Sequence, residues 1–521
     1  MSDNRIEVSE KTRSWLDTLR LFLKKEVITM LFLGFSAGIP ILLIFSSLSL
    51  WLGEAGVERS MVTYFSWAAL AYSFKFLWSP LIDRLPLPFL TGWLGRRRSW
   101  ILFSQLLVIT AIVLMGSVDP SKGESQLTFM AMAVVMLGFS SATQDTVIDA
   151  YRIEAVETNL QALMASTYIA GYRIGMIVAG AGALILAQTL GSSVESYHYL
   201  AWQSTYYIMA FVMLVGVTTT LIISEPSQSE IVLTKFSNKQ YLKFLLLFVI
   251  GAIVFVLSYT EWPNIFELVA QKSDLMKLEQ GQSVLENLAV EILRLVICLA
   301  SVALVLFLIS KTPLYERQLV EETYIRPIED FFSRYGLKIA LLILLFVGFY
   351  RISDIVLGVI ALVFYQDMGF SKIEIAAATK TFGLIMTLVG GFLGGILSVK
   401  YGVMRILFLG AVLTIVTNLL FVLLAQAGHD IVLLYLVISA DNITGGLASA
   451  AFIAYLASLT NISFTAVQYA IFSSLMTLIP KTIGGYSGSM VDSIGYENFF
   501  LVASAMGLPV LIILYFVKKH T

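Results

Sequence analysis

Apolar stretches of about twenty residues recur along the whole chain, near 27–52, 61–80, 99–118, 127–150, 162–188, 201–223, 240–259, 288–309, 338–364, 374–398, 405–425, 431–458, 466–489 and 497–517. About twenty residues rising about 1.5 Å each cross the hydrocarbon of a bilayer, where every backbone N–H and C=O must be satisfied within the protein. Stretches of this length and apolarity are restricted to α-helices, and the pattern predicts an all-α polytopic membrane protein with fourteen transmembrane helices. Composition agrees, since 58% of the 521 residues are hydrophobic and 13% charged, against about 25% charged in soluble domains. The first 25 residues are polar and end in Lys24-Lys25. The apolar stretch behind them is longer than the core of a cleaved signal peptide, so it is read as a retained first helix.

Lys and Arg placement sets the expected orientation. With the N-terminus inside, 23 of the 34 fall in cytoplasmic segments, five (Arg59, Lys122, Lys272, Lys277, Lys372) fall outside, and six lie within spans. Both termini are therefore expected in the cytoplasm. The net charge of −1 gives no reason to expect a nucleic-acid partner. The lone Cys298 and the three histidines, all in loops or at the end of the chain, offer no disulfide framework and no metal site. No Ser-His-Asp arrangement or phosphate-binding loop is legible, so neither an enzyme nor a bound cofactor is expected.

Eight ionisable residues interrupt the apolar spans: Lys75, Asp145, Asp149, Arg173, Arg351, Asp354, Lys380 and Asp441. A charge at a helix centre costs roughly 2.5–3.5 kcal/mol on insertion scales, so eight facing lipid unpaired would cost on the order of 20 kcal/mol. They must face one another or a watery cavity, and a polar path through a membrane protein points to a transporter. Asp145 and Asp149 are four residues apart and share a helix face with Gln144 adjacent. Lys75, five residues before Pro80, reaches the same depth. Such a Lys either exchanges with a proton on the carboxylates during a transport cycle or forms a permanent ion pair between two helices. Arg351 and Asp354, three residues apart, have the spacing of an intrahelical pair. Arg173, Arg351, Lys380, Asp441 and Asn442 are candidate contacts for a polar, anionic solute. Arg294 lies near a span end, where a long side chain snorkels to water, and is assigned no role. The helices near 240–259 and 288–309 are expected to be peripheral.

The 61–80 span is followed by Ser79-Pro80-Leu81-Ile82-Asp83-Arg84 and then Gly95-Arg96-Arg97-Arg98, which resembles the loop signature of the major facilitator superfamily. A weaker echo, Gly394-Gly395 through Lys400-Tyr401-Gly402 to Arg405, follows the 374–398 span. Two six-helix bundles, 27–223 and 338–517, place these loops at equivalent positions. Residues 224–337 then form a linker with two extra helices, with 1–26 and 518–521 as tails. Further strings resemble the AmpG-type muropeptide permeases: Gly34-Phe35-Ser36-Ala37-Gly38-Ile39-Pro40, Lys75-Phe76-Leu77-Trp78-Ser79-Pro80, Ala142-Thr143-Gln144-Asp145-Thr146-Val147-Ile148-Asp149-Ala150, Gly171-Tyr172-Arg173-Ile174-Gly175-Met176, Lys380-Thr381-Phe382-Gly383-Leu384, Asp441-Asn442 with Gly445-Gly446, and Phe464-Thr465-Ala466-Val467-Gln468.

The resemblance implies a major facilitator fold and import of anhydromuropeptides across a Gram-negative inner membrane by proton symport, the partners being the solute, protons and the bilayer, in a monomer. It implies proton coupling at Lys75, Asp145, Asp149 and Asp354, solute contacts at Gln144, Arg173, Arg351, Lys380, Asp441, Asn442 and Gln468, and a gating loop at Asp83 and Arg84. The chain departs from the enteric pattern, whose extra helices are C-terminal, and Asp441 stands where Glu is expected. The related acetyl-coenzyme A transporter family, working by exchange, is the alternative.

Overall fold

The computed structural model describes residues 20–520 apart from 58–64, 66–71, 73, 194–195, 227–235, 262–283, 314, 372–373, 376 and 485. Among the described residues, twelve helices are long and apolar enough to cross a membrane. Most of the expected 61–80 helix lies outside the described residues. Its C-terminal end appears as a 3-10 turn Lys75–Leu77 running into α2, Ser79–Arg84. The remaining elements are α1 (Lys25–Glu54), α3 (Arg96–Gly116), α4 (Glu124–Ala155), α5 (Gln161–Thr189), α6 (Tyr199–Ile222), α7 (Asn238–Thr260), α8 (Val284–Ile309), α9 (Arg317–Asp367), α10 (Ala377–Tyr401), α11 (Val403–Ala427), α12 (Ile431–Leu459), α13 (Thr465–Gly484) and α14 (Met490–Lys519).

The chain divides into two compact units. One holds residues 1–79, 86–231 and 336–521, and the other holds 80–85 with 232–335. Within the second unit, Lys243 Nζ on α7 donates to Glu316 Oε1 at 2.7 Å and to the Pro313 carbonyl at 2.8 Å. Arg84 reaches the Glu322 carbonyl at 3.4 Å. The short segment bearing Asp83 and Arg84 thus groups with residues 232–335 and not with the helices that flank it in sequence. Arg294 on α8 stacks over the Tyr259 ring, 3.5 Å from its centroid, and donates to the Tyr259 carbonyl at 2.9 Å. Its cost is met by an aromatic face and a carbonyl on α7.

In the first unit, α1 and α5 pack backbone to backbone. A Cβ at Gly171 would overlap the Leu31 carbonyl, so only glycine permits that approach. The second bundle repeats the device between α10 and α12, where a Cβ at Gly390 would overlap the Ile443 carbonyl. The α1 helix is interrupted at Phe45 (φ −98, ψ −93), five residues past Pro40. Where α1 resumes, Ser47 Oγ donates at 2.8 Å to the Ala179 carbonyl, inside a π-helical turn of α5, Val178–Gly182. Wide turns of this kind leave carbonyls free for such side-chain donors.

Polar clusters close both ends of the first bundle. At one end, Glu54 Oε2 accepts from Ser192 Oγ at 2.6 Å and Trp202 Nε1 at 2.7 Å. Beside it, Tyr197 donates to Asp119 at 2.9 Å and accepts from Trp51 Nε1 at 3.2 Å. Burial pushes the Asp119 carboxyl up, but hydrogen bonds from Ser121 and Tyr197 and the nearby Lys122 ammonium outweigh it and hold the group below the usual carboxylate range. At the other end, Gly95 (φ +87) starts α3 and has no side chain to cap it. Glu225, just beyond α6, supplies the cap, its carboxylate accepting from the Arg97 and Arg98 N–H groups at 2.7 and 3.0 Å.

Candidate functional site

At the C-terminal end of the expected 61–80 span, Tyr72, Lys75 and Trp78 recur every three residues and meet α4. Tyr72 Oη shares a hydrogen bond of 2.5 Å with Ser141 Oγ, and Trp78 Nε1 donates to Thr143 Oγ1 at 3.0 Å. Lys75, held between them, lies 4.0 Å from Asp145 Oδ2 and 3.8 Å from Asp149 Oδ2. The carboxylates are four residues apart on α4, which places both on one face.

The pair is held unequally. Asp149 also accepts from Arg152 Nη2 at 3.2 Å, so two cations serve it. Asp145 has Lys75 at the longer distance and a short hydrogen bond of 2.5 Å from Tyr168 Oη on α5. Arg152 is wholly buried, and its Nη1 donates to Gln161 Oε1 at 3.1 Å. Gln161 returns three hydrogen bonds through Nε2 to the carbonyls of Arg152, Ile153 and Val156, fastening the turn between α4 and α5. Sequence reasoning counted Arg152 as an ordinary basic loop residue and passed over Tyr168 and Gln161. The signal for Arg152 was its spacing of three from Asp149.

A second group forms around α9. Arg351 pairs with Asp354 through Nε at 3.1 Å and through Nη2, the intrahelical contact that the spacing suggested. Asp441 on α12 lies within electrostatic reach of both. Arg173 on α5 is within reach of the same pair, yet the contact of its own guanidinium is Met176 Sδ at 3.9 Å. Two cations and two carboxylates thus lie near one another here too, Arg173 making no ion pair among the described residues.

Other expected site residues are placed elsewhere. Gln144 is fully buried against α1, donating to Ser36 Oγ at 2.9 Å, with its Oε1 unpartnered among the described residues. Asn442 accepts from Thr387 Oγ1 at 2.8 Å and donates to the Ile438 carbonyl at 2.9 Å, which ties α12 to α10. Gln468 is buried and accepts from the Asn461 N–H at 2.7 Å, so it braces the entry to α13. The Lys380 side chain lies outside the described residues. Asp83 is buried, and Arg84 makes the contact with Glu322 described above.

The basic triplet after Gly95 is largely internal. Arg97 pairs with Glu154 at 3.0 Å through Nε and 2.5 Å through Nη2, Arg96 adds a contact at 3.4 Å, and all three are buried. Arg98 donates to the Thr220 and Leu221 carbonyls at 3.0 and 2.7 Å. The stretch that resembles the superfamily's loop signature is thus a packed joint among α3, α4 and α6. A groove of about 820 Å³ between α1 and α6, lined by Ile28, Phe32, Phe211, Val215 and Ile222, carries none of the intramembrane charges.

The two bundles meet at the end that carries this joint. Ser166 Oγ on α5 donates to the Gly391 carbonyl on α10 at 2.8 Å, and the Arg152 guanidinium lies 5.3 Å from the centroid of the Tyr469 ring on α13.

Residues 27–355 match the Major Facilitator Superfamily. The chain is 30% identical over 499 residues to a transporter of Rickettsia conorii designated AmpG 4, covering 96% of this chain and 98% of that one. It is 28% identical over 497 residues to the anhydromuropeptide permease of Escherichia coli K12, covering 95% of this chain and 80% of the relative. Among solved structures it resembles the proton:xylose symporter XylE, with a TM-score of 0.56 at 11% identity over 97% of this chain and 96% of the other. It also resembles the Escherichia coli fucose:proton symporter FucP, with a TM-score of 0.57 at 10% identity over 97% and 99%. Both likenesses concern the fold. Helical architecture, the superfamily match over residues 27–355 and relatives aligned over nearly the whole chain converge: this chain belongs to the AmpG-type permeases of the Major Facilitator Superfamily and is a multi-pass membrane transporter, not an enzyme.

Proposed function

We propose that the protein imports peptidoglycan-derived anhydromuropeptides into the cytoplasm with protons, by alternating access, across the inner membrane of a Gram-negative cell. In this reading both termini are cytoplasmic, fourteen helices cross the bilayer, and α7 and α8 are inserted between bundles 27–223 and 338–517. The observation that carries it is the unequal hold on the carboxylate pair. A coupling site needs a carboxylate that gives up its cation and takes a proton in one state. Asp145, with one ammonium at 4.0 Å against two cations on Asp149, is the member poised to do so.

Arg173, Arg351 and Lys380 supply the cations for a solute bearing peptide carboxylates, with Asp354 and Asp441 alongside. The identity to the Escherichia coli anhydromuropeptide permease supports the choice of solute. Joining at the end that carries residues 95–98 supports a state closed toward the cytoplasm, with Asp83 and Arg84 in the loop that moves as that end opens.

Uptake of labelled anhydromuropeptide into vesicles, with and without an imposed pH gradient, tests the proposal. Accumulation that follows the gradient is expected. Gradient-independent counterflow of acetyl-coenzyme A, with no muropeptide uptake, would replace this reading by the exchange alternative.

A further inference from the structure

Arg152 touches three things at once: Asp149 of the carboxylate pair at 3.2 Å, Gln161 in the turn of its own bundle at 3.1 Å, and the face of Tyr469 in the other bundle, 5.3 Å to the ring centroid. The first two belong to the same bundle as Arg152 and move with it. The third crosses between bundles. Arg152 and Tyr469 are both buried, and Arg152 Nε has no hydrogen-bond partner among the described residues. The guanidinium also lies over the Tyr469 ring and within reach of its hydroxyl, and a cation–ring contact strengthens when water is excluded; Tyr469→Phe removes the hydroxyl and leaves the ring contact to be tested by itself. Parting the bundles at this end removes the ring, admits water to the guanidinium and weakens its grip on Asp149, because charge pairs lose strength as the local dielectric rises.

We propose that Tyr469 is a positioning residue, acting through Arg152, that couples the charge on the Lys75–Asp145–Asp149 group to closure of the bundle end where the two halves meet. The proposal rests on the reading that this group is the coupling site. The charged and titratable groups facing Arg152 are Asp149 on its own helix, Tyr168 on α5 and Tyr469 on α13, with Asp145 and Lys75 next to Asp149. Loss of charge on Asp149 leaves Arg152 tethered by Gln161 and Tyr469 alone. Loss of Tyr469 leaves it tethered within its own bundle alone. Each event biases the other, as two ligands of one bistable joint do.

The test uses the full chain in liposomes, with Cys298→Ser to remove the native thiol and Ser166→Cys to report opening at the Ser166–Gly391 contact. Tyr469→Phe is the reference, and phenylalanines carrying one, two and three ring fluorines are then placed at 469. Fluorine drains the ring face of negative charge at nearly constant shape, so folding is preserved while the cation–ring attraction fades. Maleimide labelling at position 166 is expected to rise stepwise along the series, by about five- to tenfold at three fluorines, as befits a buried cation–ring contact. The rise is expected to be smaller in an Asp149→Asn background, where Arg152 is tied to its own bundle by Gln161 alone and passes less of the ring's hold to α4. A flat series would overturn the proposal, since a space-filling ring is indifferent to fluorine. An equal rise in the Asp149→Asn background would overturn it as well. Labelling needs no solute, so a wrong choice of substrate would show separately, as absent uptake by the unmodified protein.

Discussion

The two intramembrane charge groups have the same inventory, two cations and two carboxylates, and opposite settings. The group on α4 is enclosed: the side chains of Lys75, Asp145 and Asp149 are 7%, 18% and 11% exposed, and Arg152 is fully covered. The group on α9 is open, with Arg351 and Asp354 at 30% and 29%. Each partner in the enclosed group needs the others, because an orphaned charge there meets a low dielectric. The open group has more room to rearrange, and under the proposed function Arg173 and Arg351 there contact the solute. Enclosure suits coupling and openness suits binding, and three substitutions test that division.

The largest effect is expected from Lys75→Ala, which strands Asp145 and leaves Asp149 with Arg152 alone. Removing one partner of a buried pair costs roughly 3–5 kcal/mol, to be seen as loss of the monodisperse species and a lower unfolding temperature in detergent. Lys75→Ala combined with Asp145→Asn should recover most of that stability without recovering gradient-driven uptake. If Lys75→Ala alone is as stable as the parent, the group is not enclosed in the working protein.

Next, Asp145→Asn should abolish accumulation driven by a pH gradient while sparing exchange of solute down its own gradient. Uphill transport undiminished in that variant would reduce the Lys75 contact to a structural lock and move the proton to Asp149, Asp354 or Asp441. Arg351→Ala should contrast with both. It breaks a pair less enclosed than that of Lys75, so the stability loss should be well below that of Lys75→Ala, while uptake falls by more than tenfold from weaker solute binding. A stability loss as large as that of Lys75→Ala would erase the distinction between the groups.

The smallest effect lies outside both groups, at Asp119. Its folded proton affinity is depressed by Ser121, Tyr197 and Lys122 against the opposing push of burial. A depressed carboxylate stabilises the fold at pH values above its unfolded pKa of about 3.9, and that contribution disappears as pH falls through the lower folded value. Asp119→Asn should therefore flatten the acid limb of a stability-versus-pH curve and leave transport near neutrality unchanged. An unaltered acid limb would show that the Tyr197 contact contributes nothing to stability.

Much of the architecture was legible because hydrocarbon imposes it. Any run of twenty apolar residues must be a helix, and the i, i+3 and i, i+4 spacings of Arg351–Asp354 and Asp145–Asp149 follow from the 3.6-residue repeat alone. Depth along the membrane could likewise be counted from Pro80, which is how Lys75 was matched to Asp145. Rotation about a helix axis, and the identity of the helix it faces, could not be counted. Gln144, one residue from Asp145, is turned by 100° onto Ser36, and Gln468 folds back on Asn461. Segment 80–85 joins residues some 150 or more positions away in sequence.

By itself, then, the sequence determined membrane class, helix placement and which residues would be too costly to leave in lipid, because these depend on transfer free energies and local periodicity. Only the tertiary structure decided that Arg152 is the second cation on Asp149, that Tyr168 serves Asp145, that Glu154 gathers Arg96 and Arg97, and that Tyr469 covers Arg152 from the opposite bundle. Those choices turn on which helices become neighbours, and that is set by small-residue packing such as Gly171 against Leu31 over the whole bundle, which no short window of sequence contains.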